Sequence, residues 1–396
     1  MRKFIPLFAT ALLAAMVALA PLVTDTLSLS AAEAGAGHRA VCPGPAAFDT
    51  ARCHARVIVD KNGNPKATGK PSGNGPVQFR TAYGLLSSAA GAGQTVGIVD
   101  AYDDPNIESD LGVYSSQFGL PACTTANGCF KKVNQTGGTS YPRKNAGWAL
   151  EISLDVEIVH ALCPNCKILL VEANSNSFAN LIAAEDYATA HADVVSNSWG
   201  GGEFSSQTTS AYDGHFSVTG KPITFSSGDS GFGVEYPAAS QYVTAVGGTT
   251  LTVNANNTRK SETVWSGAGS GCSAYEPKPN WQKDSGCIRR TVTDVSADAD
   301  PNTGAAIYDS VRYQGISGWF QVGGTSLSSP IVGAVYALAG NAASTIDASS
   351  PYGHTSSLFD VTSGSNGACS PSYLCTGTAG YDGPTGNGTP VGTNAF

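Results

Sequence analysis

The stretch QTVGIVDAY, residues 94–102, decides the architecture. It is a short β-branched apolar run that closes on an acid, Asp100. From there the chain alternates: a long apolar helix WALEISLDVEIVHALC (148–163), a run KILLVEA (167–173) and a helix FANLIAAEDYATAHA (178–192). The runs DVVSNSWG (193–200), PITFSSGD (222–229) and YVTAVGG (242–248) follow. Short strands separated by helices of about ten residues or more are β-α-β units, which predicts an α/β fold: a mostly parallel twisted sheet with helices on both faces. In such sheets, sites gather outside the carboxyl ends of the strands, where Asp100, Trp199 and Asp229 fall in this reading.

Composition sets the outer limits. The chain has 396 residues, 41% of them hydrophobic and 13% charged, enough for one large core. A net charge of -8 argues against nucleic acid or an anionic membrane as partner, because phosphates are repelled. Residues 1–34 open on MRK, continue through an apolar stretch and reach the A-x-A pattern Ala32-Glu33-Ala34, which predicts a secretory signal cut near Ala34. No later apolar run approaches the roughly 20 residues of a bilayer span, so a soluble, secreted, extracellular protein is expected. Ten cysteines fall as neighbouring couples, Cys42 with Cys53, Cys123 with Cys129, Cys163 with Cys166, Cys272 with Cys287 and Cys369 with Cys375. An even count in an exported chain favours bridges without fixing their connectivity, and CPNC at 163–166 also allows a redox motif or half a zinc site. Residues 35–76 lack a periodic apolar pattern and read as a short extended lead-in, with the main domain over 77–396.

GGTSLSSP, residues 323–330, places Ser326 after two glycines and before the buried helical run IVGAVYALAG. Ser326 can be a helix cap, or a nucleophile on a tight turn whose helix N-terminus offers N–H groups and a positive dipole end to an oxyanion. Pro330 reads as lying near the first turn. A serine nucleophile usually takes histidine as its base, yet none of the six histidines lies in a glycine-flanked strand-to-helix motif, although His160 stays possible. The helix at 148–163 offers carboxylates instead. Glu151 and Asp155 are one turn apart on one face, flanked by apolar residues and without Lys or Arg at 147 or 159. Two like charges forced together in an apolar setting share a proton, so one can act as a base in mild acid. Asp229, in the turn SSGDSG, can donate a hydrogen bond to an oxyanion if its site keeps it protonated, or can be an ordinary turn residue.

With these residues assembled, the sequence resembles the sedolisin family of serine-carboxyl peptidases. The likeness is carried by EISLD (151–155), SNSWG (196–200), SSGDSG (226–231), YPAASQYVTAVGGT (236–249), ETVWSG (262–267), TDVSADADPNTG (293–304) and GGTSLSSP, in order across roughly residues 77–391. The resemblance implies a subtilisin-like α/β fold and peptidase action on proteins or peptides in acid. Ser326 is implied as nucleophile, Glu151 as its base, Asp155 as the partner that shares a proton with Glu151, and Asp229 with the Ser326 N–H as the oxyanion hole. Trp199 and Gly200 are implied to line the cleft along extended substrate. Asp100 takes the place of an acid behind the pair, where the family often has glutamate. FDVTSGSNG (359–367) and TAGYDGPTGNG (378–388) resemble a site for one Ca²⁺, with carboxylates of Asp360 and Asp382 and carbonyls of Val361, Thr378 and Gly380.

Relatives commonly carry a large N-terminal prodomain, for which residues 35–76 leave no room; a monomer is expected. Two other readings stay open: a histidine-based subtilase with Asp100 in its triad, and a non-catalytic secreted binding protein on a peptidase scaffold. Asn134, Asn256 and Asn387 sit in N-x-S/T sequons.

Overall fold

The computed structural model describes Met1 and residues 37–85, 90–345 and 348–396. The expected signal segment, apart from Met1, lies outside them. Ordered elements begin with four short strands, β1 (His38–Ala40), β2 (Arg52–Cys53), β3 (Arg56–Ile58) and β4 (Ala67–Thr68), then helix α1 (Pro76–Ala82). The lead-in is therefore built into the body, and order starts well before Val77. Its strands are two or three residues long, too short to write a period into the sequence.

The expected alternation follows. It comprises β5 (Thr95–Ala101), α2 (Ile107–Phe118), β6 (Phe130–Asn134), α3 (Ala146–Leu162), β7 (Lys167–Ala173), α4 (Phe178–His191) and β8 (Val194–Asn197). Next come β9 (Trp199–Gly202), β10 (Ile223–Ser226), β11 (Glu235–Tyr236), β12 (Thr244–Val253) and β13 (Arg259–Val264). After a small hairpin of β14 (Gly271–Cys272) and β15 (Thr291–Val292) come β16 (Val295–Asp298), β17 (Ala305–Tyr313), β18 (Ile316–Gly323) and α5 (Thr325–Ala339).

The main sheet has eight strands in the order β13-β12-β10-β8-β5-β7-β6, with β16 also on β12. All its pairings are parallel except β12 with β13. Gly97 on β5 faces α4, where a Cβ would lie 3.1 Å from that of Ala192, whereas Ser196 on β8 faces Gly333 of α5. Helices thus cover both faces. Because side chains alternate along a strand, Asp100 points with Ile98 to the face opposite Gly97, the α3 and α5 side.

A five-stranded antiparallel sheet, β1-β3-β18-β17 with β4 on β18, packs its β17 against α3. Every residue from Trp148 to Leu162 is buried, since α3 lies between two layers, so its acids Glu151, Asp155 and Glu157 are enclosed along with its apolar residues. The five neighbouring cysteine couples are all bridged, including Cys163–Cys166.

Candidate active site

Ser326 sits at the start of α5, and β18 delivers it. The strand ends at Gly323, and the turn to the helix is made by Gly324 at φ 94°, which serves as the N-cap. Ser326 is the second helical residue and not the cap. A side chain at 324 would place its Cβ 1.9 Å from His54 O and 2.7 Å from Asp229 Oδ2, so this position needs glycine for both its φ and its neighbours. Pro330 lies a turn deeper than expected. Having no N–H, it frees the Ser326 carbonyl, which accepts from Ser198 Oγ at 3.3 Å.

The four expected catalytic residues converge here. Ser326 Oγ donates to Ser198 O at 3.3 Å and lies beside Glu151. Glu151 Oε2 accepts from the Ala55 N–H at 2.9 Å, while Oε1 has no hydrogen-bond partner. Burial pushes the Glu151 carboxyl well up, and the charge of Asp155 adds to it, against a pull from the Ser326 hydroxyl and the Ala55 N–H. Asp155 is also raised, by burial and then by Asp100; its Oδ1 accepts from Ser198 Oγ at 2.8 Å and its Oδ2 is unpartnered. Asp100 is fully buried with neither oxygen hydrogen-bonded, and burial, then Glu151 and Glu172, raise it. Glu172 stands opposite Asp100 on β7 and is itself raised to about 9, chiefly by burial. A row of buried acids therefore runs back from the serine, each favouring the protonated form of the next.

Asp229 follows β10. Its Oδ1 accepts both the N–H and the hydroxyl of Thr325, each at 2.8 Å, and Oδ2 is buried and unpartnered. Burial raises it, opposed by the charges of His54 and Arg56. A carboxyl fixed at one oxygen and raised in pKa presents a donor at the other, which suits an oxyanion.

The two expected cleft residues divide. Trp199 is wholly buried: its indole N–H donates to Val99 O at 2.9 Å and its ring packs on Phe225. Only its backbone faces the cleft, because neighbouring side chains on β9 point to opposite sides. Gly200 faces the N-terminal segment: a Cβ there would come within 2.9 Å of His54 Cε1. The strip is already paired, with Arg52 against Gly200 and Cys53 against Trp199.

Neither His160 nor His54 has a ring nitrogen bonded to Ser326. His160 Nε2 donates to Pro121 O at 2.8 Å, and both ring nitrogens of His54 are taken, Nδ1 by Ser226 Oγ at 2.7 Å and Nε2 by Glu235 Oε2 at 2.9 Å. Sequence reasoning passed over Ser198, Thr325, Glu172 and Glu235. Ser198 and Thr325 lie inside the motifs SNSWG and GGTSLSSP, but no spacing rule marks them as supports; Glu235, just before YPAAS, carried no signal.

The two C-terminal loops also meet. Gly380 N–H donates to Asp360 Oδ2 at 2.9 Å and Thr378 N–H to Asp382 Oδ2 at 3.0 Å, so the two carboxylates share one loop cluster. Burial, and more weakly the Asp360 charge, push Asp382 up to about 7. Carboxylates and carbonyls are the hard oxygens that calcium takes, and Asp382 here also accepts the N–H and hydroxyl of Thr385 at Oδ1, at 2.9 and 2.8 Å. Elsewhere Asp104, Asp110 and Asp309 bring carboxylate oxygens within 4.8 Å of one another, all buried.

The subtilase family matches over residues 138–352. Sedolisin from Pseudomonas sp. (strain 101) is 31% identical over 382 residues, 85% of this chain and 63% of that protein. Kumamolisin from Bacillus sp. (strain MN-32) is 29% identical over 391 residues, 86% of this chain and 67% of that protein. The chain thus spans a little under two thirds of the Pseudomonas relative. A solved structure of Pseudomonas sedolisin, a serine-carboxyl proteinase complexed with two molecules of pseudo-iodotyrostatin, matches with a TM-score of 0.70 at 30% identity, covering 82% of this chain and 96% of that one. With Ser326 and its carboxylates arranged as described, the chain belongs to the sedolisin family, within the wider subtilase family.

Proposed function

We propose that this chain is a secreted serine-carboxyl peptidase that hydrolyses peptide bonds in proteins at acid pH. The observation that carries the reading is the buried set of Glu151, Asp155 and Asp229 around Ser326, all with raised pKa and with no histidine base among the described residues. Ser326 Oγ attacks the carbonyl carbon and passes its proton to Glu151, which later gives it to the departing amine. Asp155 shares a proton with Glu151 and is held in place by Ser198. Asp229, protonated, and the N–H of Ser326 at the positive end of α5 receive the oxyanion. Acid conditions suit this set, since the oxyanion donor is lost when Asp229 ionises, while the Glu151/Asp155 pair must shed one proton to work as a base.

A calcium ion would be held by carboxylates of Asp360 and Asp382 and carbonyls of Val361, Thr378 and Gly380, tying together loops that lack secondary structure. Its contribution is to stability. Cleavage near Ala34, a monomeric state, and substrates limited to proteins and peptides complete the reading. The test is hydrolysis of a denatured protein from about pH 3 to 8, comparing wild type with Ser326→Ala and Glu151→Gln. Activity confined to acid and abolished in both variants is expected. Neutral activity that survives Glu151→Gln refutes the carboxylate base.

A further inference from the structure

The cleft is filled by the chain's own N-terminal segment, and the hydrogen bonds give its register. β2 pairs antiparallel with β9, and the next residue, His54, donates its N–H to Ser198 O at 3.1 Å. The N–H of Ala55 then donates to Glu151 Oε2 at 2.9 Å. His54 O lies on the same side of Gly324 as the unpartnered Asp229 Oδ2. The amide between His54 and Ala55 thus has its nitrogen on the base and its carbonyl oxygen beside the oxyanion donor, two of the contacts that a peptide bond about to be cut makes, while Ser326 Oγ is turned to Ser198 O at 3.3 Å.

Side chains fix the segment. Arg52 and His54, on one face of the strand, both reach Glu235: Arg52 Nη2 to Oε1 at 3.0 Å and His54 Nε2 to Oε2 at 2.9 Å. Burial works to raise Glu235, but the charge and hydrogen bond of His54, then those of Arg52, outweigh it and hold the carboxyl at about 2. Arg52 also bonds Ser230 Oγ at 2.7 Å and Gly44 O at 3.2 Å. The loop leading in is closed twice at its neck, by the Cys42–Cys53 disulfide and by the Val41 N–H on Ala55 O at 2.9 Å. A closed loop has little entropy left to lose on docking, so it competes well with any free peptide.

We propose that residues 42–55 form a built-in occupant of the acyl side of the cleft, anchored by Glu235, that holds the intact enzyme closed, and that Glu235 selects incoming peptides with cationic side chains at the two positions taken here by Arg52 and His54. The proposal rests on the reading of Ser326 and Glu151 as the reacting pair. Occupancy and catalysis are therefore measured separately.

Hydrogen exchange on Ser326→Ala reads occupancy alone. The amides of His54 and Ala55 should exchange slowly, and at least about tenfold faster when Arg52→Ala or the pair Cys42→Ser and Cys53→Ser is added. Fast exchange at both amides in Ser326→Ala itself overturns the proposal whatever the activity. Slow exchange with no peptide hydrolysis by any variant leaves the occupant in place and refutes the catalytic reading instead.

Initial rates on two fluorogenic peptides, one bearing Arg and His at those positions and one bearing Gln at both, read the consequence, with chain length checked by intact mass. Arg52→Ala and the cysteine pair should each start at least about tenfold faster than uncut wild type, and a synthetic disulfide-closed peptide of residues 41–56 should inhibit Arg52→Ala. A cut in wild type after His54, with activity rising in step, supports the same register. The opened enzyme should favour the cationic peptide, a preference that Glu235→Gln in the Arg52→Ala background removes. Equal rates for uncut wild type and both opened variants overturn the closed state, and an unchanged preference in Glu235→Gln overturns the selection.

Discussion

Asp229 permits a sharp prediction because its two oxygens have different duties. Oδ1 is committed to the Thr325 N–H and hydroxyl, at 2.8 Å each, and Oδ2 alone is free to donate. In Asp229→Asn the amide oxygen can keep both Thr325 bonds while Nδ2 takes the donor position, so kcat should fall no more than about tenfold. In Asp229→Ala the donor is gone, and loss of one oxyanion donor costs about 10²–10³-fold in kcat, or about 2.7–4 kcal/mol. The alanine also leaves two buried Thr325 donors without an acceptor, a stability cost of roughly 1–3 kcal/mol each where water does not reach them. The pH dependence separates the variants further. Burial raises Asp229, so wild type keeps its donor into mild acid and loses it as pH rises through that pKa, whereas the asparagine donates at every pH. The alkaline limb of the kcat profile should therefore be missing in Asp229→Asn. The assay is kcat on a saturating fluorogenic peptide across pH, with folding of each variant confirmed by thermal unfolding. An alanine variant within about threefold of wild type, against the expected loss, or an asparagine variant as damaged as alanine, refutes the assignment.

Stability should be highest in acid. Burial raises Glu172 and Asp309 to about 9 and Asp104 to about 7, so these groups stay protonated in the fold where the unfolded chain, with ordinary values of 4.5 for Glu and 3.8 for Asp, has ionised. Their contribution is complete below the unfolded values and is lost as pH climbs through 7 and then 9. Calorimetry should show Tm falling from pH 4 to pH 8, and a Tm maximum at neutrality contradicts this. Arg290 and Asp294 form a buried bidentate pair at 2.7 and 2.6 Å, so Arg290→Met, which strands the carboxylate, should cost about 3–5 kcal/mol in denaturant unfolding. A loss under about 1 kcal/mol rejects a charged pair. A chelator should lower Tm in wild type and leave Asp382→Asn unmoved; an equal drop in both removes calcium from those loops.

The parts legible in the sequence were those written locally. The alternation from Thr95 to Val253 gave the parallel sheet, and the i, i+4 spacing of Glu151 and Asp155 placed both on one side of α3. What escaped depends on partners distant in the chain. Val57 pairs with Val322 and Arg56 with Gly323, so the sheet whose β17 covers α3 is assembled from opposite ends of the sequence, and no local pattern announces it. Trp199 escaped for a different reason: its place in SNSWG marks a cleft backbone, and the alternation of a strand sends its ring the other way, onto Val99 and Phe225.

The pairing of β3 with β18 also sets a timetable for synthesis. Arg56 is among the first described residues to leave the ribosome, and Gly323, its partner and the start of the turn that carries Ser326, emerges only after some 265 more. At about 5–20 residues per second that interval is roughly 13–50 s, during which β3 and β4 wait for the strand that joins them. Loop closure over so long a span is costly and such topologies fold slowly, so the serine is among the last groups to reach its place. On the proposed reading of Ser326 as nucleophile, a chain built this way completes its reactive centre only after nearly all of it has been made, and cannot attack its neighbours while still being synthesised.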